Sequence, residues 1–245
     1  MLKSFPSGST AVVFGAGGGI GRAFAELLAA DPAFSAVVAC SRRPLDMSSA
    51  KIRSEIVDIL DENSIASVAA TLKPLAPPLV LIATGILHEG ASLQPEKTWR
   101  HLTLENMQQV FAVNTMAPAL IIKHLLPILP REGKSVLAAL SARVGSISDN
   151  GIGGWYSYRA SKAALNMMLR TASIEHSRRW KEGAVIGLHP GTVDTDLSEP
   201  FQGAVPGKQL FTAKHSATEM LAVVDRIGPA DTGQVFDYSG KVVAF

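Results

Sequence analysis

The fold is decided by residues 10–21, Thr10-Ala11-Val12-Val13-Phe14-Gly15-Ala16-Gly17-Gly18-Gly19-Ile20-Gly21. A short apolar run predicts a strand, which enters a glycine-rich turn followed directly by a helical pattern. Glycine allows the tight turn and lets backbone approach a pyrophosphate without a Cβ in the way. The N-terminus of the helix then offers unpaired amide groups to the phosphates. The stretch therefore predicts a dinucleotide site at Gly15, Gly19, Ile20 and Gly21.

Working outward from this loop, short β-branched runs alternate with longer helical patterns. The predicted strands are Ala11–Phe14, Ala36–Cys40, Ile52–Val57, Leu79–Ala83, Ser135–Leu140, Ala184–His189 and Gln234–Phe236. The predicted helices are Ile20–Ala30, Asn63–Leu72, Leu104–Asn114 continuing toward Leu129, Tyr156–Ser177 and Ser216–Ile227. Strands that are apolar throughout are typical of a parallel sheet covered on both faces. We predict one Rossmann-type α/β domain over residues 1–245, with a doubly wound, mostly or wholly parallel, seven-stranded sheet.

Composition narrows the class of protein. The 245 residues are 47% hydrophobic and 18% charged, with a formal net charge of +2. This balance offers no strong basic field for nucleic acid or an anionic membrane, and no run approaches the roughly 18 apolar residues of a membrane span. The six histidines show no paired ligand spacing, so we predict no metal. The N-terminus lacks a long apolar segment, and we expect a soluble cytoplasmic protein.

The end of the second predicted strand distinguishes NADP from NAD. An acidic residue there would accept hydrogen bonds from the ribose hydroxyls of NAD, whereas this chain has Ser41, Arg42 and Arg43. Two guanidiniums and a hydroxyl match a 2′-phosphate, so we predict NADP(H). The alternative is two solvated arginines in a loop. Asp58 and Ile59 follow the third strand, where they would touch the adenine, although Asp58 equally suits a cap of the next turn.

The strongest catalytic pattern is Tyr158-Arg159-Ala160-Ser161-Lys162. Tyr158 and Lys162 are four residues apart on a predicted helix and share one face. A free tyrosine has a pKa of about 10, and a cation within a few ångströms favours its phenolate form. We expect the Lys162 ammonium and the oxidised nicotinamide to supply such charges. Tyr158 would then donate a proton to a carbonyl oxygen as hydride arrives, or remove it in the reverse direction.

With these motifs in place, the chain resembles the short-chain dehydrogenase/reductase family over nearly its whole length. Within that family it is most similar to the carbonyl reductases of the C-factor and sniffer types, through the segments Gly145–Asn150 and Gly153–Lys162. The resemblance rests on Gly15-x-x-x-Gly19-Ile20-Gly21, Ala83-Thr84-Gly85, Asn114, Ser141, Tyr158-x-x-x-Lys162 and Pro190-Gly191-Thr192-Val193-Asp194-Thr195.

The resemblance implies a role for each matching position. Asn114 would hold a water in a proton relay with Lys162, which would also bind the nicotinamide ribose. Ser141 would hydrogen-bond the substrate oxygen; the family's usual position, three residues before a glycine, is here Ala142, and Ser146 and Ser148 are alternatives. The further positions that would bind the cofactor are Gly85, Pro190, Gly191, Val193 and Thr195, the last two at its nicotinamide end.

Residues 198–214 fit no regular element and carry two prolines and two glycines. A loop of this length in a compact domain is usually functional, and we interpret it as a flap over the active site, with a surface excursion as the alternative. The predicted function is NADP(H)-dependent interconversion of a small carbonyl compound and its alcohol. The alternative function is that of an NADP(H)-binding signalling or regulatory protein of the C-factor type. The sequence is compatible with a homodimer or a homotetramer.

Overall fold

Strands and helices alternate along the described chain, residues 2–200 and 210–245 of a computed structural model. The strands are β1 Ser9–Phe14, β2 Phe34–Ser41, β3 Ile52–Ile56, β4 Leu79–Ile82, β5 Ser135–Leu140, β6 Gly183–His189, β7 Thr192–Val193, β8 Leu210–Phe211, β9 Val235–Asp237 and β10 Val242–Val243. The α-helices are α1 Gly19–Ala30, α2 Glu62–Leu72, α3 Leu104–Phe111, α4 Ala117–Leu125, α5 Tyr156–His176 and α6 Ala213–Arg226. The predicted boundaries agree with most of these elements to within two residues.

The central sheet has eight strands in the order β10-β9-β6-β5-β4-β1-β2-β3. Neighbouring strands are parallel except for β9 and β10, which are antiparallel. The Rossmann-type fold and the mostly parallel sheet are therefore confirmed, and the prediction of seven strands was wrong by one. The additional strand, β10, has only two residues, too few for a periodic pattern to reveal. The parallel pair β7–β8 forms a separate small sheet that the sequence pattern also missed.

The chain order reverses beside β1. From β1 the chain proceeds to β2 and β3 on one side, and it returns to add β4, β5 and β6 on the other. The carboxyl ends of the parallel strands meet at one edge, and the crevice at such a reversal is the usual ligand site of this architecture. The glycine loop, Gly85, Ser141 and Pro190 all follow strands that end at this edge.

Hydrophobic residues fill a layer on each face of the sheet. Alternate β1 residues point to opposite layers, so that Val13 lies in one and Phe14 in the other. Helices α1 and α6 cover the first layer with Phe24 and Met220, whereas α2, α4 and α5 cover the second, where Ile65 is fully buried. Burial on both faces explains why these strands are apolar throughout rather than alternating.

A continuous helical run spans Leu104–Ile128 and includes α3 and α4. Contrary to our expectation, this run is long and apolar enough to cross a membrane, the one such helix in the part of the chain that the structure describes. Its residues Ile121 and Leu125 are fully buried in the second hydrophobic layer. This packing is typical of a core helix in a doubly wound domain.

Candidate active site

The glycine loop joins β1 to α1 through contacts that exclude side chains. Gly15 has a φ of +81°, and a Cβ there would lie 2.7 Å from the Ala83 carbonyl oxygen. A Cβ on Gly21 would lie 2.2 Å from the Gly15 carbonyl oxygen. The N-cap of α1 is Gly18, which has no side chain to bond the first amide groups of the helix. These N–H groups form a cradle suited to an anion.

Ser41 ends β2 directly beside this loop. A Cβ on Gly17 would lie 3.6 Å from the Ser41 Cβ, so the end of the strand touches the glycine turn. The Ser41 hydroxyl donates to the Arg43 carbonyl oxygen. Arg42 and Arg43 are exposed in the bend that follows. The structure therefore places Arg42 and Arg43 directly after a strand end that touches the dinucleotide loop.

Asp58 has a local partner after β3. Its carboxylate accepts from the Leu60 amide at 2.9 Å, and its own amide donates to the Ser64 hydroxyl at 3.1 Å. This is the turn cap that the sequence left as an alternative. Ile59 is half-buried against the second hydrophobic layer. Contact of either residue with adenine stays a prediction.

Asn114 lies in a π-helical turn, Ala112–Met116, between α3 and α4. It is fully buried, and its amide bonds both the N–H and the carbonyl of Ile86 at 2.8 Å. A Cβ on Gly85 would lie 3.5 Å from the Asn114 Oδ1 and 3.6 Å from the Lys162 Nζ. Asn114, Lys162 and the end of β4 are therefore brought together, as the proton-relay prediction requires.

Tyr158 and Lys162 share the buried face of α5. They are 8% and 3% exposed, and the Lys162 Nζ lies 5.8 Å from the Tyr158 ring centroid. The ammonium donates to the Leu140 carbonyl at 2.8 Å. Burial raises the pKa of Tyr158 to about 12, contrary to our expectation of a lowered value, and burial lowers the pKa of Lys162 to about 8. A phenol with this pKa keeps its proton at neutral pH and is a proton donor.

Ser141 points into the interior beside α5. The residue is 3% exposed, and its hydroxyl donates to the Asn166 Oδ1 at 2.6 Å. To reach a substrate oxygen as a donor, this proton would have to leave Asn166. The alternative Ser146 is also buried and accepts from the Asp149 amide at 3.2 Å.

We expect Ser141→Ala to lower the free energy of unfolding by about 1–3 kcal/mol, because Asn166 would lose a buried donor. Urea unfolding measures this change, and NADPH-linked turnover per binding site should stay within a few-fold of wild type. Ser35→Ala, at an exposed serine at the start of β2, is the matched control. A selective loss of turnover of about 10²-fold or more in Ser141→Ala would instead show that its hydroxyl contacts the substrate oxygen, as the sequence predicts.

The segment after β6 folds back over the glycine loop. Gly191 has a φ of +76°, and a Cβ there would lie 2.9 Å from the Phe211 ring. The Pro190 carbonyl accepts from the Ser216 hydroxyl at 2.7 Å, and Val193 is buried in β7. A Cβ on Gly19 would lie 2.8 Å from the Thr195 methyl. Thr195 is thus positioned beside the N-terminus of α1.

The predicted flap, residues 198–214, lies partly outside the described residues, which omit 201–209. Just before this segment, the His88 Nε2 lies 2.9 Å from the Asp196 carbonyl oxygen. This contact joins the loop after β4 to the loop after β7. At its end, residues 210–214 belong to regular structure, contrary to the prediction. They form β8 and the start of α6, and Thr212 caps this helix by accepting from the His215 amide.

A family model described as short chain dehydrogenase matches residues 9–204. The chain belongs to the short-chain dehydrogenase family. This match covers the glycine loop, both members of the Tyr158–Lys162 pair and the segment after β6, and it confirms the family resemblance found in the sequence.

Individual members of the short-chain dehydrogenase family extend the comparison. The chain is 37% identical to the C-signal of Myxococcus xanthus over 139 residues, covering 56% of this chain and 78% of that protein. It is 30% identical to the 1-hydroxy-2-glutathionyl-2-methyl-3-butene dehydrogenase of Rhodococcus sp. (strain AD45) over 228 residues, covering 92% and 95% of the two chains. The solved NADPH-bound carbonyl reductase from chicken fatty liver is 28% identical, with a TM-score of 0.85, and the alignment covers 100% of this chain and 96% of that one.

Two side chains around the candidate site were missed by sequence reasoning. Glu96, from the segment between β4 and α3, is buried against the start of α5. Arg159, between Tyr158 and Lys162, donates to the carbonyl oxygens of Gly153 and Gly154. The sequence held one indirect sign of Glu96. Trp155 stands just before α5, where a side chain that accepts hydrogen bonds is usual, so another residue had to cap the helix. Within the described residues, no group of three or more His, Cys, Asp or Glu side chains is placed to hold a metal.

Proposed function

We propose that this protein is an NADP(H)-dependent oxidoreductase that interconverts a carbonyl compound and its alcohol. The observation that carries the proposal is the buried Tyr158 phenol with Lys162 beside it, on the helix that follows the end of β5. Family membership and the likeness to an NADPH-bound carbonyl reductase support the same assignment.

The described residues fit a dinucleotide. A Cβ at Gly15, Gly19 or Gly21 would collide with its neighbours, so the loop is a close-approach cradle rather than a generic turn. Gly15, Gly19 and Gly21 would hold the pyrophosphate, Arg42 and Arg43 the 2′-phosphate, and Lys162 the nicotinamide ribose. When bound, the nicotinamide supplies or accepts the hydride.

Tyr158 acts as the general acid in carbonyl reduction. Its hydroxyl donates a proton to the substrate oxygen while hydride reaches the carbonyl carbon, and it takes the proton back in alcohol oxidation. The Lys162 ammonium stabilises the phenolate that forms. Asn114 lies beside Lys162 and would hold a water that returns a proton through the lysine.

The test of the proposed function is NADPH consumption against a broad panel of aldehydes and ketones. We expect measurable oxidation of NADPH with at least one carbonyl class, and the corresponding alcohol with NADP⁺ should run the reverse reaction. Failure across aliphatic, aromatic and steroid-sized carbonyls, with NADPH shown to bind, would refute the enzyme assignment.

NADPH is expected to bind at least about tenfold more tightly than NADH, because Arg42 and Arg43 follow β2 and would bind a 2′-phosphate. Fluorescence titration of both cofactors measures this ratio. The Arg42→Ala/Arg43→Ala double variant should lose most of this preference, because it should lower the affinity for NADPH and leave the affinity for NADH unchanged. Arg178→Ala, at an exposed arginine two residues after the end of α5, is the matched control. Equal affinities in the wild type would contradict the cofactor assignment.

A second candidate function is that of an NADP(H)-binding signalling or regulatory protein. The identity of 37% to the C-signal of Myxococcus xanthus supports it. Such a protein needs the glycine cradle but has no need of a proton donor. The buried Tyr158–Lys162 pair therefore favours the enzyme.

A further inference from the structure

Helix α5 begins without a cap of its own. Its N-cap residue, Trp155, has a left-handed φ of 52°, and an indole cannot accept a hydrogen bond from the first amide groups. Tyr158 is the third residue of the helix and so belongs to this first turn. The first turn of a helix frays readily when its N–H groups lack partners. The orientation of the tyrosine hydroxyl depends on whatever holds this turn.

Glu96 supplies the missing cap from a distant part of the chain. One of its carboxylate oxygens accepts from the Ser157 amide at 3.1 Å, and the other accepts from the Ser157 hydroxyl. The Glu96 carbonyl accepts from the Trp155 amide at 2.6 Å. Three hydrogen bonds thus bind Glu96 to the N-cap and to the second residue of α5.

Burial makes this arrangement unusual for a glutamate. Glu96 is 3% exposed, and a buried carboxylate is costly unless hydrogen bonds satisfy it. Here both oxygens have donors, and the charge faces the positive end of the α5 dipole. An uncharged residue would fill the same space without the cost of burying a charge. The fully bonded carboxylate constrains the backbone and side chain of Ser157 together, which an apolar residue could not do.

Arg159 fixes the same turn from its other side. Its guanidinium donates to the carbonyl oxygens of Gly153, Gly154 and Val144 at 2.9–3.2 Å. The Tyr158 ring meets the Trp155 ring edge-on, with centroids 6.2 Å apart. The backbone on both sides of Trp155 is therefore held, and the tyrosine packs against the residue in the middle.

We propose that Glu96 is the positioning residue for Tyr158. Its carboxylate sets the first turn of α5, so that the tyrosine hydroxyl points at the reacting oxygen. The expected effect of Glu96 on turnover rests on the proposed function. Its expected effect on the first turn of α5 rests only on the hydrogen bonds described above.

The experiment compares Glu96→Ala with Glu96→Gln. An amide still accepts from the Ser157 N–H and donates to the Ser157 hydroxyl oxygen, so Glu96→Gln should restore the cap. We expect Glu96→Ala to lower kcat per NADPH-binding site by about tenfold or more, because small misplacements of a reacting group are costly. The affinity for NADPH should stay within about threefold, and Glu96→Gln should keep kcat within about threefold of wild type.

The matched control is Glu89→Ala, which removes an exposed glutamate from the same segment and should leave kcat unchanged. An unchanged kcat in Glu96→Ala would overturn the proposal. So would a parallel loss of kcat and NADPH affinity, which is the result of general disruption. If Glu96→Ala does not fold, Ser157→Ala decides, because it removes one of the three bonds and keeps the carboxylate. Its kcat should fall with NADPH affinity intact, and a wild-type kcat would reject the assignment.

Hydrogen exchange gives a readout that needs no turnover. In Glu96→Ala, or in Ser157→Ala where the first does not fold, the amides of residues 157–160 should exchange about tenfold faster than in wild type, while those in the middle of α5 keep their rates. Unchanged exchange at the helix start would overturn the proposal even if the wild type reduces no carbonyl compound. A wild type without turnover, combined with faster exchange in the variant, would count against the proposed function and not against the cap.

Discussion

Tyr158→Phe is expected to lower carbonyl turnover by about 10²–10⁴-fold while NADPH binding stays nearly unchanged. The ring is buried and in contact with Trp155, and phenylalanine keeps that packing. Only the hydroxyl and its proton are lost. The measurement is NADPH oxidation under saturating substrate, alongside a fluorescence titration of NADPH.

The matched control is Tyr156→Phe, the same substitution two residues earlier on α5, where the side chain is exposed. Its turnover should equal that of wild type. If Tyr158→Phe keeps its rate, the proton comes from elsewhere and the mechanism proposed above is wrong. A variant that loses turnover yet retains a biological effect would establish the signalling function instead.

Lys162→Met is expected to lower turnover by about 10²-fold or more, to weaken NADPH binding, and to stabilise the protein without cofactor. Burial lowers the pKa of Lys162 to about 8 from its usual 10.5, so the folded state disfavours the ammonium. A shift of this size corresponds to about 3 kcal/mol at pH 7. Loss of the bond to the Leu140 carbonyl offsets part of the gain, and the net increase in unfolding free energy should be about 1–3 kcal/mol.

The pH dependence of stability provides a separate check. Between pH 8 and 10.5 the unfolded wild type binds more protons than the folded protein at Lys162, so this group contributes a rise of stability with pH. Lys134, whose pKa burial also lowers to about 8, contributes with the same sign. The Cys40 thiol and the Tyr158 phenol, whose pKa values burial raises, contribute with the opposite sign above about pH 9. The comparison is therefore made between pH 8 and 9, where the slope in Lys162→Met should fall to about half or less. Urea unfolding at several pH values measures it, and an unchanged slope together with no gain in stability would contradict the buried-ammonium account.

Much of the fold and the outline of the site could be predicted from patterns among residues that are close in sequence. The glycine loop, the apolar strands and the four-residue spacing of Tyr158 and Lys162 each depend on neighbours in sequence, and the structure places them as expected. Arg42 and Arg43 were located in the same way, since the end of β2 must lie beside a loop that follows β1. These features follow from periodicity and from the geometry of a parallel sheet.

Features that depend on distant contacts were not accessible in this way. Glu96 caps a helix 61 residues away, and no local pattern links it to Ser157. The partner of Ser141 is Asn166, which only the packing of α5 on β5 defines. The raised pKa of Tyr158 was misjudged because the sequence revealed the nearby lysine but not the depth of burial.

The π-helical turn at Ala112–Met116 has a consequence for how such a protein could evolve. A π-turn contains one residue more than an α-helical turn, and it is a common feature of functional sites. Deleting a single codon there would let the helix close into a regular α-helix. It would move the residues within the turn while the helical segments on either side keep their orientation, because the π-turn accommodates the extra residue locally. The amide of Asn114 would swing away from Lys162 while the sheet and the glycine cradle persist. For the proposed oxidoreductase, one such deletion would be a short genetic route to a protein that only binds its nucleotide.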